Sequence, residues 1–187
     1  MTRPYLIAAL LLALAGLYYT LQRIDDVAIA PTAPDNTVPR YTLHDALMTR
    51  YDASGTPSLR ATAKTLQYFD DESAKGDEMV VDVLSGPKTP WNIVSPKATL
   101  PAHSHTFLLE GGDVVAKGNW PDNNEPVTVV TTLLWVDPDT HEMHTDRGLT
   151  FQSATRDGSA TGMRSNWTEQ NMSLLNDVKM HYEAKQR

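Results

Sequence analysis

An all-β fold is what this sequence predicts, and three observations carry it. Short apolar runs recur through residues 41–187, separated by turn chemistry such as SGP, GGD, PDNN, DPD and DGS. No strand–helix–strand alternation appears, which argues against a parallel sheet. The closing run, NMSLLNDVKMHYE at 171–183, sets Met172, Leu174, Val178, Met180 and Tyr182 at one parity, with Asn176 the exception. Ser173, Asp177, Lys179, His181 and Glu183 hold the other parity, broken by Leu175. Alternation of period two marks a strand with one dry face and one wet face. Many short strands without a long helix imply a sandwich, roll or barrel.

Taken in order, the chain begins with residues 4–22, PYLIAALLLALAGLYYTLQ, which carry no charge. Seventeen helical residues, Tyr5 to Leu21, span ~26 Å, enough for a thin bilayer. Tyr5 and the Tyr18–Tyr19 pair fall at the two ends, where amphipathic rings prefer to sit. Arg3 precedes the span while Asp25 and Asp26 follow it, which predicts a cytoplasmic N-terminus and a body outside. The rival reading is a cleaved signal peptide with Ala28-Ile29-Ala30 as the cut site. Pro31 after the cut and the long apolar core favour an uncleaved anchor over 1–24. Residues 25–40 include three prolines within 27–40 and read as an extended tether.

The body, 41–187, opens with an ambiguous segment. TLHDALMTRYD, residues 42–52, fits helical spacing through Leu43, Ala46, Leu47 and Tyr51, yet Tyr41, Leu43, Leu47 and Tyr51 also share strand parity. Context favours a strand. Strand-like runs follow: SLRATAKTLQYF, EMVVDVL, WNIVSPKATL, HTFLLEG, DVVAKGNW, VTVVTTLLWV, EMHTD, LTFQS and the closing strand. VTVVTTLLWV, at 127–136, is apolar at both parities, so it reads as a central core strand or one facing a second apolar compartment.

Composition excludes several functions. Fourteen basic residues after residue 24 face 23 acidic ones, a balance of −9 that disfavours nucleic acid and an anionic membrane surface. The chain has no cysteine, so a disulfide scaffold, a thiol nucleophile, a thiolate zinc site and a lipoprotein anchor are all excluded. His103 and His105 would share one face of a strand, and His141 and His144 mimic HExxH at the wrong spacing. Both pairs lie at turns, where histidines are ordinarily solvated, so no metal and no cofactor is expected. No G-x-S-x-G elbow or nucleotide-binding glycine pattern is present. NWT at 166 and NMS at 171 match glycosylation sequons, a short pattern that recurs by chance. The expectation is a protein without catalysis.

A resemblance rests on an ordered series: RATAKTLQYFDD (60–71), W-x-I-x-S-x-K-A-T-L (91–100), FLLEGGDVV (107–115), TVVTTLLWVDPDTHEMHTD (128–146) and a G-M-R-S-N…Y-E ending. With the N-terminal span and tether, this resembles the LptC family of bitopic inner-membrane components of lipopolysaccharide export. Region 72–84 departs from the family pattern. The resemblance implies a twisted β-jellyroll of two antiparallel sheets forming an open V-shaped trough, with one N-terminal transmembrane helix. It implies a single-pass inner-membrane protein with a periplasmic domain, serving outer-membrane biogenesis in a Gram-negative cell. It also implies lipopolysaccharide received from an ABC transporter of LptB, LptF and LptG and passed to periplasmic LptA.

Trough candidates follow from parity: Met79, Val81, Val83, Ile93, Phe107 and Leu109 in the first half. Val129, Leu133, Trp135, Phe151, Leu174, Val178 and Met180 complete them. Ala46 and Met48 are carried by the resemblance to the family's N-terminal edge, and Met172 and Tyr182 are placed at the docking edge for the next jellyroll. The bland alternative is that many of these pack a closed core. Two other functions compete: a bitopic adaptor binding only proteins, and a periplasmic hydrolase built on the histidine pairs.

Overall fold

In a computed structural model, residues 38–86 and 91–182 are described. The expected anchor (1–24) and most of the expected tether (25–40) lie outside them. Among the described residues no helix is long and apolar enough to cross a membrane.

Among the described residues every regular element is a strand: β1 (Tyr41–Tyr51), β2 (Pro57–Tyr68), β3 (Ala74–Val83), β4 (Trp91–Leu100), β5 (Phe107–Glu110) and β6 (Val114–Asn119). The series continues with β7 (Pro126–Thr131), β8 (Leu134–Asp137), β9 (Glu142–Ser153), β10 (Arg156–Asn166) and β11 (Asn171–Tyr182). The ambiguous 42–52 segment is strand as far as Tyr51, and most of region 72–84 enters the sheet as β3. All pairs are antiparallel, in the order β1-β2-β3-β4-β5-β8-β9-β10-β11. β6 bridges β4 to β7, and β7 bridges β6 to β9. The strands thus form one continuous hydrogen-bonded sheet, where the resemblance implies two. β5 and β6 are two halves of one run along β4, and β7 and β8 are two halves of one run along β9.

The sheet folds over on itself. Strands distant in the order meet where Trp167 Nε1, after β10, donates to Ser85 Oγ, after β3, at 3.1 Å. Buried residues of β2 through β10 merge into a single apolar core with Trp91, Trp120 and Trp167. Folding needs the strands to bend, and the bends align. Asp45 and Glu78 adopt left-handed φ of 50° and 49°. By register they lie in one row with Lys64 and Pro96, across β1 to β4. The row continues through the gaps between β5 and β6 and between β7 and β8, then register shifts in β9 and β10 near Gly162. It ends at Asp177 in β11, with φ 49°. A residue in this conformation acts as a bulge does, re-aiming the side chains beyond it. Inward residues of β2 accordingly change from odd (Leu59, Ala61, Ala63) to even (Leu66, Tyr68) across this crease. In β4 they change from Ile93 to Ala98 and Leu100.

Three sequence expectations are corrected. DGS at 157–159 is not a turn but lies within β10. Gly158 is required there by close approach, because a Cβ would sit 2.1 Å from the Lys179 carbonyl oxygen and 2.6 Å from the Phe151 ring. EMHTD and LTFQS form one strand, β9. VTVVTTLLWV is two strands, with inward Val127, Val129 and Thr131 before the break and Leu134 and Val136 after it.

Candidate functional site

The crease leaves an apolar cavity of about 180 Å³ at one end of the roll. Its floor is made of small groups: Ala61 and Ala63 of β2, Ala74 and Gly76 of β3, and Ala98 of β4. Short side chains at five adjoining positions leave volume that leucines would fill. Met79, Leu66, Tyr68 and Leu100 border the floor; Met48 and Ala46 of β1 form one wall, and Phe107 of β5 the opposite wall. Methionines adapt readily to a flexible apolar ligand. Tyr68 is also fixed by a parallel stack on Tyr41, with ring centroids 5.0 Å apart. No lining residue carries a charge, so the site offers dry contact and no catalytic group.

Four of the residues expected in a trough line this cavity: Ala46, Met48, Met79 and Phe107. Val81, Val83, Ile93 and Leu109 are fully buried in the core, and Val129 and Phe151 nearly so. Those six pack protein against protein. Leu174, Met172 and Met180 are half-buried against the core, whereas Val178 and Tyr182 of the same face are exposed. Leu133 and Trp135 depart from the inward series. Leu133 lies in the break between β7 and β8, and Trp135 follows it with reversed parity, half-buried and stacked on His144 at 6.4 Å. Sequence reasoning missed the floor. Its signal was the spaced small residues of RATA and KAT, which a search for large apolar side chains passes over.

Beside the cavity stands a cluster of charge. Arg50 of β1 pairs with Asp139 in the β8–β9 turn, and His105 Nδ1 lies 2.7 Å from the same carboxylate. These contacts, His105 first and then Arg50, hold the Asp139 carboxyl below the usual carboxylate range. His103 pairs with Glu72 at 3.1 Å. Neither histidine is on a strand, and no group of three metal-ligating side chains is assembled among the described residues.

A second cavity, of about 40 Å³, lies among Trp91, Trp120 and Trp167. Its space is of the size of a few waters at most, and the buried Trp120 indole N–H has no protein acceptor. The ring faces are already engaged: Trp91 lies on Gly118, and Trp120 is covered by the Arg156 guanidinium at 4.8 Å. Arg156 is itself held by Asp122 at 3.0 Å and approached by Glu125. Thr155 donates to Glu125 through N–H and hydroxyl, both at 2.6 Å. Those bonds, Thr155 foremost, lower the Glu125 carboxyl to about 2. This end of the roll is a structural clasp.

β1 pairs only with β2, and β11 only with β10, so among the described residues both outer edges of the sheet are unpaired. Fold and cavity together define a class: an antiparallel β-roll with a dry pocket and two strand edges open to pairing. Within that class the chain belongs to the family described as lipopolysaccharide-assembly, LptC-related, which it matches over residues 8–183. It therefore acts in lipopolysaccharide assembly. No curated protein matches the sequence. Among solved structures it is similar to the crystal structure of LptH, the LptA-homologous periplasmic component of the lipopolysaccharide transport device of Pseudomonas aeruginosa. That similarity has a TM-score of 0.51 at 8% identity, covering 67% of this chain and 95% of that one. At such identity the likeness is one of fold.

Proposed function

We propose that the protein is a non-catalytic carrier, taking lipopolysaccharide from an inner-membrane ABC transporter of LptB, LptF and LptG and passing it to a periplasmic partner such as LptA. In this reading residues 1–24 hold the β-domain at the inner membrane, on the periplasmic side. The observation that carries it is a charge-free cavity lined from five strands and bordered by the edge strand β1. Each methylene kept from water saves ~0.8 kcal/mol, so a glycolipid with several acyl chains crosses an aqueous space only under cover. A dry wall without convergent polar groups covers a chain without fixing it at one point, which suits passage better than storage.

The free edges supply the continuity. An unpaired edge strand is a template for another sheet, and a partner that adds to it extends both sheet and groove. β11 serves the downstream partner through Met172 and Tyr182, and β1 serves the transporter. A photocrosslinking amino acid at Met48 or Phe107 in the cavity, compared with Leu47 on the outer face, tests the reading. Lipopolysaccharide adducts at Met48 and Phe107 and not at Leu47 are expected; their absence from both inner positions overturns it.

A further inference from the structure

One wall of the apolar cavity is held by charge. β1 is hydrogen-bonded to β2 along one edge only. Arg50 shares the inward side with Ala46 and Met48, being paired in register with the buried Leu59. Its guanidinium reaches Asp139 in the β8–β9 turn, and Asp139 also meets His105. His105 precedes the facing wall, Phe107, by two residues. The three side chains therefore tie the two walls together across the side of the cavity. Asp139 is held in place for this, because Asp137 Oδ1 accepts the N–H of Asp139 at 2.8 Å and of Thr140 at 3.2 Å.

We infer that Arg50, Asp139 and His105 form a latch on β1, and that its release lets β1 swing on β2 and admits an acyl chain sideways into the cavity. The inference rests on the carrier reading. Size calls for such a movement. An apolar cavity of about 150 Å³ takes one benzene, so the tied cavity of about 180 Å³ holds a group of about six or seven carbons. A longer chain needs a wall to move, and of the strands lining the cavity β1 is the one held by a single ladder. Strength permits it. Arg50 and Asp139 are 42% and 44% exposed, and ion pairs so exposed shift an equilibrium by no more than about five-fold.

The absence of cysteine makes the test specific, since an Arg50→Cys/Asp139→Cys variant of the full chain carries thiols only at the latch. Arginine and aspartate end to end exceed the ~7 Å Cα separation that a disulfide tolerates, so a short bis-maleimide spans the pair. The comparison form is the same variant capped with N-ethylmaleimide. The probe is 11-(dansylamino)undecanoic acid, and the fluorescence removed by Ala46→Trp, which fills the cavity from the edge strand, is the cavity's signal.

Bridging is expected to slow uptake at least about tenfold relative to capping. Arg50→Ala alone is expected to speed it by about two- to five-fold, a gain that wild type matches at about 0.5 M salt. Equal uptake by bridged and capped forms, or by Arg50→Ala and wild type, overturns the latch and leaves the cavity as a binding place. Identical fluorescence in wild type and Ala46→Trp overturns the cavity reading, and the latch with it.

Discussion

Gly118 shows how tightly single residues are specified at the tryptophan end. A Cβ added there would lie 2.3–2.5 Å from three atoms of the Trp91 indole, so the ring rests directly on backbone. Gly118→Ala displaces a buried tryptophan and is expected to cost about 1–3 kcal/mol, lowering the thermal midpoint by roughly 3–10 °C. Calorimetry measures it. Glu125 makes a different prediction. Its folded pKa of about 2 lies below its ordinary 4.5, through Thr155 first. The charged form is favoured in the fold, so the stabilisation is complete above 4.5 and is lost as pH falls toward 2. Wild type should therefore lose thermal stability more steeply than Glu125→Gln between pH 5 and pH 2.5. Equal slopes would show that the Thr155 bonds do not discriminate the ionised form.

At the scale of the strand, alternation decides what a side chain does. Leu174 faces inward, paired in register with the fully buried Met163. Leu175, its neighbour, is 42% exposed on the other face. Leu174→Arg puts a charge against an apolar surface, whereas Leu175→Arg leaves it in water. In cells carrying only the variant, Leu174→Arg is expected to reduce lipopolysaccharide reaching the outer membrane sharply and Leu175→Arg hardly at all. Equal effects would remove the inner face of β11 from the transport path. Alternation was legible in β11 because its inward set keeps one parity across the crease. It was illegible in β7 and β8, where the inward set changes from Val129 to Leu134 within one apolar run. There the outward Val130 lies in a cross-strand row with Val80, Val94 and Val115. β-Branched neighbours of this kind stabilise a sheet by packing on its wet face, so hydrophobicity alone could not tell inside from outside. The cavity floor was hidden for the opposite reason, since Ala61, Ala63, Gly76 and Ala98 make the site by what they lack.

For the molecule as a whole, a crease and two open edges divide stability unevenly. β4 and β9 each pair along both edges, and each contacts two partners along one of them. β1 and β11 pair along one edge, and most of their side chains are exposed. Opening an edge strand breaks one ladder and uncovers little apolar surface, while opening β4 or β9 breaks two and uncovers the core. Amides of β1 and β11 should therefore exchange with solvent at least about tenfold faster than those of β4 and β9, a gap of 1.4 kcal/mol or more. Hydrogen exchange read by mass spectrometry resolves this strand by strand. The carrier reading adds a second expectation to the same measurement. A ligand that enters beside β1 contacts Ala46 and Met48, and its binding adds apolar contacts that the open strand forfeits. Lipopolysaccharide should then slow exchange in β1 more than in β4, and an added jellyroll partner should slow it in β11. Uniform protection across all strands would mean that the edges are no looser than the core, and a sheet so rigid would have neither a movable wall for a lipid nor a free strand for a partner.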